Sequence, residues 1–321
     1  MKKVLILAAV AVVSLLIANF LMVWGNPEVV FWKEYMDRNS ARLEQMRSNN
    51  PDVPVILVTG GSSCSFSLDP IVIEQKTGIP TCNMGGSASM GASYLVANTL
   101  AHARRGDVVI LAIEPALLSK FTEPEEIPLA LEMAIIQGHP LRAVGRPVTN
   151  RDMQLKDIIA TLRPGSRYFS TMISKLATGR PLYRYTMDDW QDGGRLSTDY
   201  KDSLLKPNEL MTRPFPINGM GNDLLQQAVL YCEQKGIKLC YSMPWIFTQK
   251  EVVDANRGYN LDFLDEVSRI MPVLRGGHLG VCAERKLYAD TSYHLSEEGA
   301  YLRSVELAEE LNKWLIKELN Q

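Results

Sequence analysis

The apolar positions of this chain are distributed in three distinct ways. After Met1-Lys2-Lys3, the stretch Val4 to Trp24 carries no charge, and the next charged residue is Glu28. About 20 apolar residues span a bilayer core, whereas the apolar part of a cleavable signal peptide is about 7–15 residues long and ends in small residues. Here bulky Phe20 to Trp24 stand where a cleavage site needs small side chains. The pattern predicts an uncleaved signal anchor (region 1–25, apolar over 4–24), with a cleaved signal peptide as the alternative. The two lysines would stay cytoplasmic, placing a single-pass protein's C-terminal body in the periplasm or outside the cell. Residues 26–52 read as a juxtamembrane helix or linker, stopped by Asn49-Asn50-Pro51.

From residue 53 onward short apolar runs alternate with helical patterns. "VPVILVTG", "IPTCNMGG", "DVVILAIEP" and "IKLCYSMP" read as buried strands. Asp69-Pro70 starts a helix that Gly78 ends, and "SASMGASYLVANTLAHARRG" forms another that closes at Gly106. Strands alternating with helices imply βαβ units and a mainly parallel sheet. The rhythm breaks over about 115–215, which is read as a largely helical insertion in the 53–321 domain, with pieces near 126–137 and 151–162. It resumes with helices in "GNDLLQQAVLYCEQKG" and near 259–270, and the last 25 or so residues form an amphipathic helix.

Composition changes this picture little. With 321 residues, 46% hydrophobic, 22% charged and a net charge of −2, no global basic field points to nucleic acid. The five cysteines have no CxxC or other zinc-like spacing and read mainly as small buried hydrophobes, with a Cys240–Cys282 disulfide left open. "DDWQDGG" is too far from a calcium loop to argue for metal. No metal and no cofactor is expected.

Candidate chemistry gathers at three strand ends, where open parallel sheets bind ligands: "TGGSSCS" (59–65), "NMGGSAS" (83–89) and "IEP" (113–115). No Lys follows Gly60-Gly61 and the later glycines of a dinucleotide fingerprint are missing, so phosphate cradles are set aside. A serine on a sharp strand-to-helix turn fits better, because its oxygen is exposed near backbone N–H groups. Such a serine needs a base. Of four histidines, His102, His139 and His278 read as structural or surface residues, while His294 in "YADTSYHLSEEGA" has Asp290 four positions upstream.

In this order, "GGSSCSFSLDP", "NMGGSASMG" and "DTSYHLSEEG" resemble the blocks of the SGNH/GDSL-type hydrolase superfamily. The likeness is to membrane-anchored bacterial members with a Gly-Ser-Ser turn that act in envelope polysaccharide acylation, and it covers about 53–115 and 220–319. It implies a flavodoxin-like three-layer α/β/α fold and a serine-dependent esterase or acyltransferase. The substrate would be a small acyl ester or an acylated polysaccharide, and a membrane-bound O-acyltransferase is an implied partner. By the resemblance Ser63 is the nucleophile, with Ser62 as the other register, His294 the base and Asp290 its orienting carboxylate. Ser63, Gly85 and Asn83 would supply the oxyanion hole. Three departures stand out. Ser62 replaces the family's Asp, three residues rather than two separate Asp290 from His294, and Glu114 stands where the family has an oxyanion-donating Asn. Those departures keep open the alternative of a catalytically degenerate binding or assembly subunit.

Overall fold

The computed structural model describes residues 2–119, 127–155, 172–179, 183–191, 193–198, 205–207, 216–217 and 219–319. The side chains of Asn19, Phe20, Met22, Ile127, Pro128 and Leu319 are outside that description. Four of the expected runs become strands: β1 (Ile56–Thr59), β2 (Thr81–Asn83), β3 (Val108–Leu111) and β4 (Lys238–Ser242). Further on come β5 (Ile246–Phe247), β6 (Val273–Leu274) and β7 (Val281–Cys282). A five-stranded sheet runs β2-β1-β3-β4-β6 with every pair parallel, and β5 pairs with β7 in a separate parallel ribbon. Counted within the sheet, the order is the 2-1-3-4-5 of flavodoxin-type sheets.

The two faces of the sheet are both covered, so its strands are apolar on consecutive positions. Ile56, Val58, Val108, Ile110 and Cys240 pack against Ile73 of α4 (Pro70–Thr77) and against Leu307, Ala308 and Leu311 of α10 (Glu297–Leu319). The alternate residues Leu57, Val109, Leu111, Leu239 and Tyr241 belong to the larger core on the opposite face. That core includes α2 (Pro27–Asn49), α5 (Gly91–Leu100) and α8 (Gly219–Lys235). The result is a three-layer α/β arrangement, with α9 (Val253–Ser268) leading into β6.

The region expected as a juxtamembrane helix or linker, 26–52, is helical but is no linker. Val29, Trp32, Tyr35, Met36 and Leu43 of α2 are buried in the main core. A buried Arg47–Asp107 ion pair of 2.6 Å ties its last turn to the start of β3, and Asp107 also accepts the Val55 N–H at 2.9 Å. Ahead of it, α1 (Lys2–Trp24) holds exposed apolar residues such as Leu15, yet Val23 near its end is only 2% exposed, inside the main core. Among the described residues no helix is long and apolar enough to cross a membrane.

In the insertion, α6 (Pro115–Ser119) and α7 (Ile127–Ile136) are seen, while most of the helix expected near 151–162 lies outside the described residues. All five cysteines are free and buried, so the Cys240–Cys282 disulfide is not formed.

Candidate active site

β1 leads through Gly60 and Gly61 into α3 (Ser62–Ser67), with Gly61 as its N-cap. Both glycines are demanded by close approach. A Cβ on Gly60 would run into the Ala112 carbonyl oxygen, and one on Gly61 into the carboxylate of Glu114. Glu114, just beyond β3, is buried and accepts the N–H groups of Gly61 (3.1 Å) and Ser63 (3.3 Å). The Ser63 side chain lies beneath this turn at 1% exposure, and its hydroxyl has no hydrogen-bond partner among the described residues. Ser62 is half-buried. Neither its N–H nor its hydroxyl is engaged among the described residues.

The second glycine turn locks onto the first. Asn83 at the end of β2 donates through Nδ2 to the carbonyls of Cys64 and Leu68, both at 3.0 Å. Its Oδ1 accepts the Gly85 N–H at 2.9 Å. Gly86 donates to the Gly60 carbonyl at 3.0 Å, and the Ser65 hydroxyl donates to the Gly86 carbonyl at 3.2 Å. The three groups expected to form an oxyanion hole are therefore not free donors around one open position. The Ser63 N–H points to Glu114, the Gly85 N–H to Asn83, and the Asn83 amide to two carbonyls. A side chain with both donor and acceptor ends, placed beside two unpaired carbonyls, satisfies them before it serves a ligand.

The other half of the site is assembled. His294 Nδ1 lies 2.9 Å from Asp290 Oδ1, with the Asp290 side chain fully buried. The additional residue between them is absorbed by a local turn, in which the Thr291 hydroxyl accepts the N–H groups of Tyr293 (3.2 Å) and His294 (3.0 Å). The His294 ring stacks on Phe66 of α3, centroids 4.0 Å apart and planes 12° apart. Ser67 stitches the same helix to the loop: it donates to the Tyr293 carbonyl at 2.9 Å and accepts the Leu295 N–H at 3.3 Å. On a helix, residues four apart share a stripe, so Ser62 lies on the stripe that carries Phe66, and Ser63 on the one that carries Ser67.

Two site residues have no counterpart in the sequence reading. Tyr185, from the insertion, donates its hydroxyl hydrogen to Asp290 Oδ2 at 2.8 Å and sits 3.2 Å from His294 Nδ1. Arg184 reaches the same Asp290 oxygen at 2.6 Å. Burial raises the Asp290 carboxyl, but His294, Tyr185 and Arg184 more than offset it and hold it below its ordinary value. Burial and the neighbouring Asp290 push the Tyr185 phenol up, so it stays a donor. The only sequence signal was an aromatic and arginine run, "YRY" at 183–185, with no periodicity to place it.

Two of the remaining histidines serve the framework, and His139 is exposed. His102 Nδ1 lies 2.8 Å from the Asn98 carbonyl, and burial lowers its pKa. His278 pairs with Glu306 at 2.9 Å against Trp245. Among the described residues no group of three His, Cys, Asp or Glu side chains could hold a metal ion. No protein-family model matches the chain, and no curated protein matches it.

Proposed function

We propose that this chain is a serine-dependent acyl-ester hydrolase or O-acyltransferase of the SGNH/GDSL type, with Ser62 rather than Ser63 as the nucleophile. One observation carries the reading: the imidazole of a buried Asp290–His294 pair is stacked on Phe66, one helical turn along the stripe from half-buried Ser62. Asp290 fixes the imidazole with its proton on Nδ1, leaving Nε2 as the base. The Ser62 hydroxyl gives its proton to Nε2 as its oxygen bonds to the acyl carbon. The leaving alcohol takes that proton as its own bond to carbon breaks. Water or a sugar hydroxyl then repeats the exchange in reverse and carries the acyl group away. Ser62 also keeps its own N–H unengaged, whereas the N–H of Ser63 is directed at Glu114. That contrast supports the Ser62 register over the one read first.

The substrate class follows the resemblance: an acylated cell-envelope carbohydrate or a small ester, handled outside the cytoplasmic membrane, with a membrane-bound O-acyltransferase as partner. The uncharged run Val4 to Trp24 in the sequence supports a single-pass anchor. The burial of Val23 in the domain core seats the body directly on the end of that helix.

Glu114 favours a second reading. Its carboxylate sits on the N–H groups of the nucleophile turn, and a charged carboxylate repels a developing oxyanion. On this reading the chain is a binding or assembly subunit that has lost turnover. Labelling with a fluorophosphonate probe separates the two. The acyl-enzyme reading expects labelling of the wild type and of Ser63→Ala, and none of Ser62→Ala or His294→Ala. Absence of both labelling and ester turnover in the wild type would leave the binding reading standing.

A further inference from the structure

We infer that Arg184 and Tyr185 are positioning residues for the base, so that the insertion completes the site from outside the sheet. This rests on the acyl-transfer reading for its purpose, although not for its geometry. A buried carboxylate with one partner could rotate away from the imidazole. Here His294 holds one Asp290 oxygen, while Tyr185 and Arg184 hold the other. The two residues are themselves fixed as a unit. The Arg184 guanidinium lies over the Tyr185 ring at 5.0 Å and donates to its hydroxyl at 2.9 Å. The Tyr185 ring packs at 4.9 Å against Phe66, on which His294 stacks, and at 5.6 Å against Tyr183. Tyr183 and Tyr185 in turn meet Phe31 of α2 at 5.3 and 6.1 Å. The insertion thus joins the helix that follows α1 to the loop that carries the base.

Among the described residues, the charged and titratable groups facing Asp290 and His294 are Arg184 and Tyr185, while α3 packs the neutral Phe66 ring against the imidazole. The sign of the effect follows. A cation and a donor beside Asp290 favour its charged form, so losing either raises its carboxyl toward the ordinary value.

The test is a pH titration of the side-chain carboxyls by carbon NMR on the protein in detergent micelles, for wild type, Tyr185→Phe, Arg184→Gln and Arg184→Lys. The Asp290 midpoint should rise toward its ordinary value in Arg184→Gln and in Tyr185→Phe, and return toward wild type in Arg184→Lys. An Asp290 midpoint unmoved in both Arg184→Gln and Tyr185→Phe would overturn the inference. Tyr185→Phe keeps the ring packing. Should it still fail to fold, Arg184→Gln alone decides, since that side chain is 43% exposed. If the wild type neither turns over esters nor takes the probe, the acyl-transfer reading fails, and the titration still decides whether the clamp exists.

Discussion

At the Asp290–His294 pair, the surrounding polar groups converge on one carboxylate. At the Gly60–Ser63 turn, by contrast, the chain's own carboxylate covers the N–H groups of Gly61 and Ser63. The first region is a carboxylate clamped from three sides against one imidazole. The second is arranged as a closed joint between β1, β2 and β3, with the buried Ser63 hydroxyl left over as its unpaired atom. The difference teaches that a likeness read from motifs can hold unevenly in space. The Asp290–His294 half forms a buried pair, while the N–H groups expected as oxyanion donors at Ser63 and Gly85 are engaged within the fold. Ser62 lies where the two regions meet, at the exposed edge of the joint and on the face of α3 that touches the base.

The largest effect expected is at that boundary. If Ser62 carries the acyl group, Ser62→Ala should lower ester turnover by about 10⁴ or more, as loss of a triad member does elsewhere. Ser63→Ala, which removes a hydroxyl that has no partner, should leave turnover within a few-fold and the fold intact. Initial rates on an aryl acetate for the two variants decide this, and the reverse pattern would restore the Ser63 register.

Next comes the claim that Asn83 belongs to the joint. Asn83→Ala deletes four buried hydrogen bonds, two to carbonyls, one from the Gly85 N–H and a weak one from the Cys64 thiol. It should cost about 3 kcal/mol of stability, seen as a melting temperature lower by several degrees. A drop in kcat with unchanged melting would instead make Asn83 an oxyanion donor and dissolve the contrast between the two regions.

Glu114 is tested by Glu114→Gln, which keeps the shape, removes the negative charge and offers an amide N–H in place of one acceptor oxygen. An oxyanion-hole donor is worth roughly 10²–10³ in rate when fully in place. A partial gain of about tenfold in turnover is therefore expected, with an unchanged KM. An unchanged or lower rate would show that Glu114 supports the wild-type chemistry as a carboxylate.

How much of this was legible in the sequence depended on distance along the chain. The Asp69 cap of α4 was readable because a cap acts within three residues, and its carboxylate does accept the Ile71 and Val72 N–H groups. The pairing of Asp290 with His294 spans four positions, and the departure from the family's spacing is absorbed by Thr291 within the same turn. Tyr185 meets Asp290 across 105 positions from an irregular segment, so nothing local could announce it. Glu114 was noticed as a departure, but a strand end does not reveal which N–H groups its side chain will reach. The role of α2 was hidden differently. Val29, Trp32, Met36 and Leu43 recur at helical spacing and form a buried stripe, whereas position next to an apolar run suggested only a tether.

The smallest effect concerns pH, and its sign is set by Asp290. Its folded-state carboxyl titrates below the ordinary value, since three partners more than offset the burial that would raise it. A carboxyl depressed in the folded state stabilises the fold above its unfolded value, about pH 4. That contribution is lost as the pH falls through the lower folded value. The advantage of wild type over Asp290→Asn in denaturant unfolding should therefore shrink in the acid window below about pH 4. The turn region predicts nothing comparable for Ser62→Ala, which removes no charge, so its stability relative to wild type should stay flat over the same range. A difference for Asp290→Asn that already shrinks near neutral pH would mean that the three partners do not hold the charge as the geometry indicates. The base half of the site would then be no better preserved than the joint beside it.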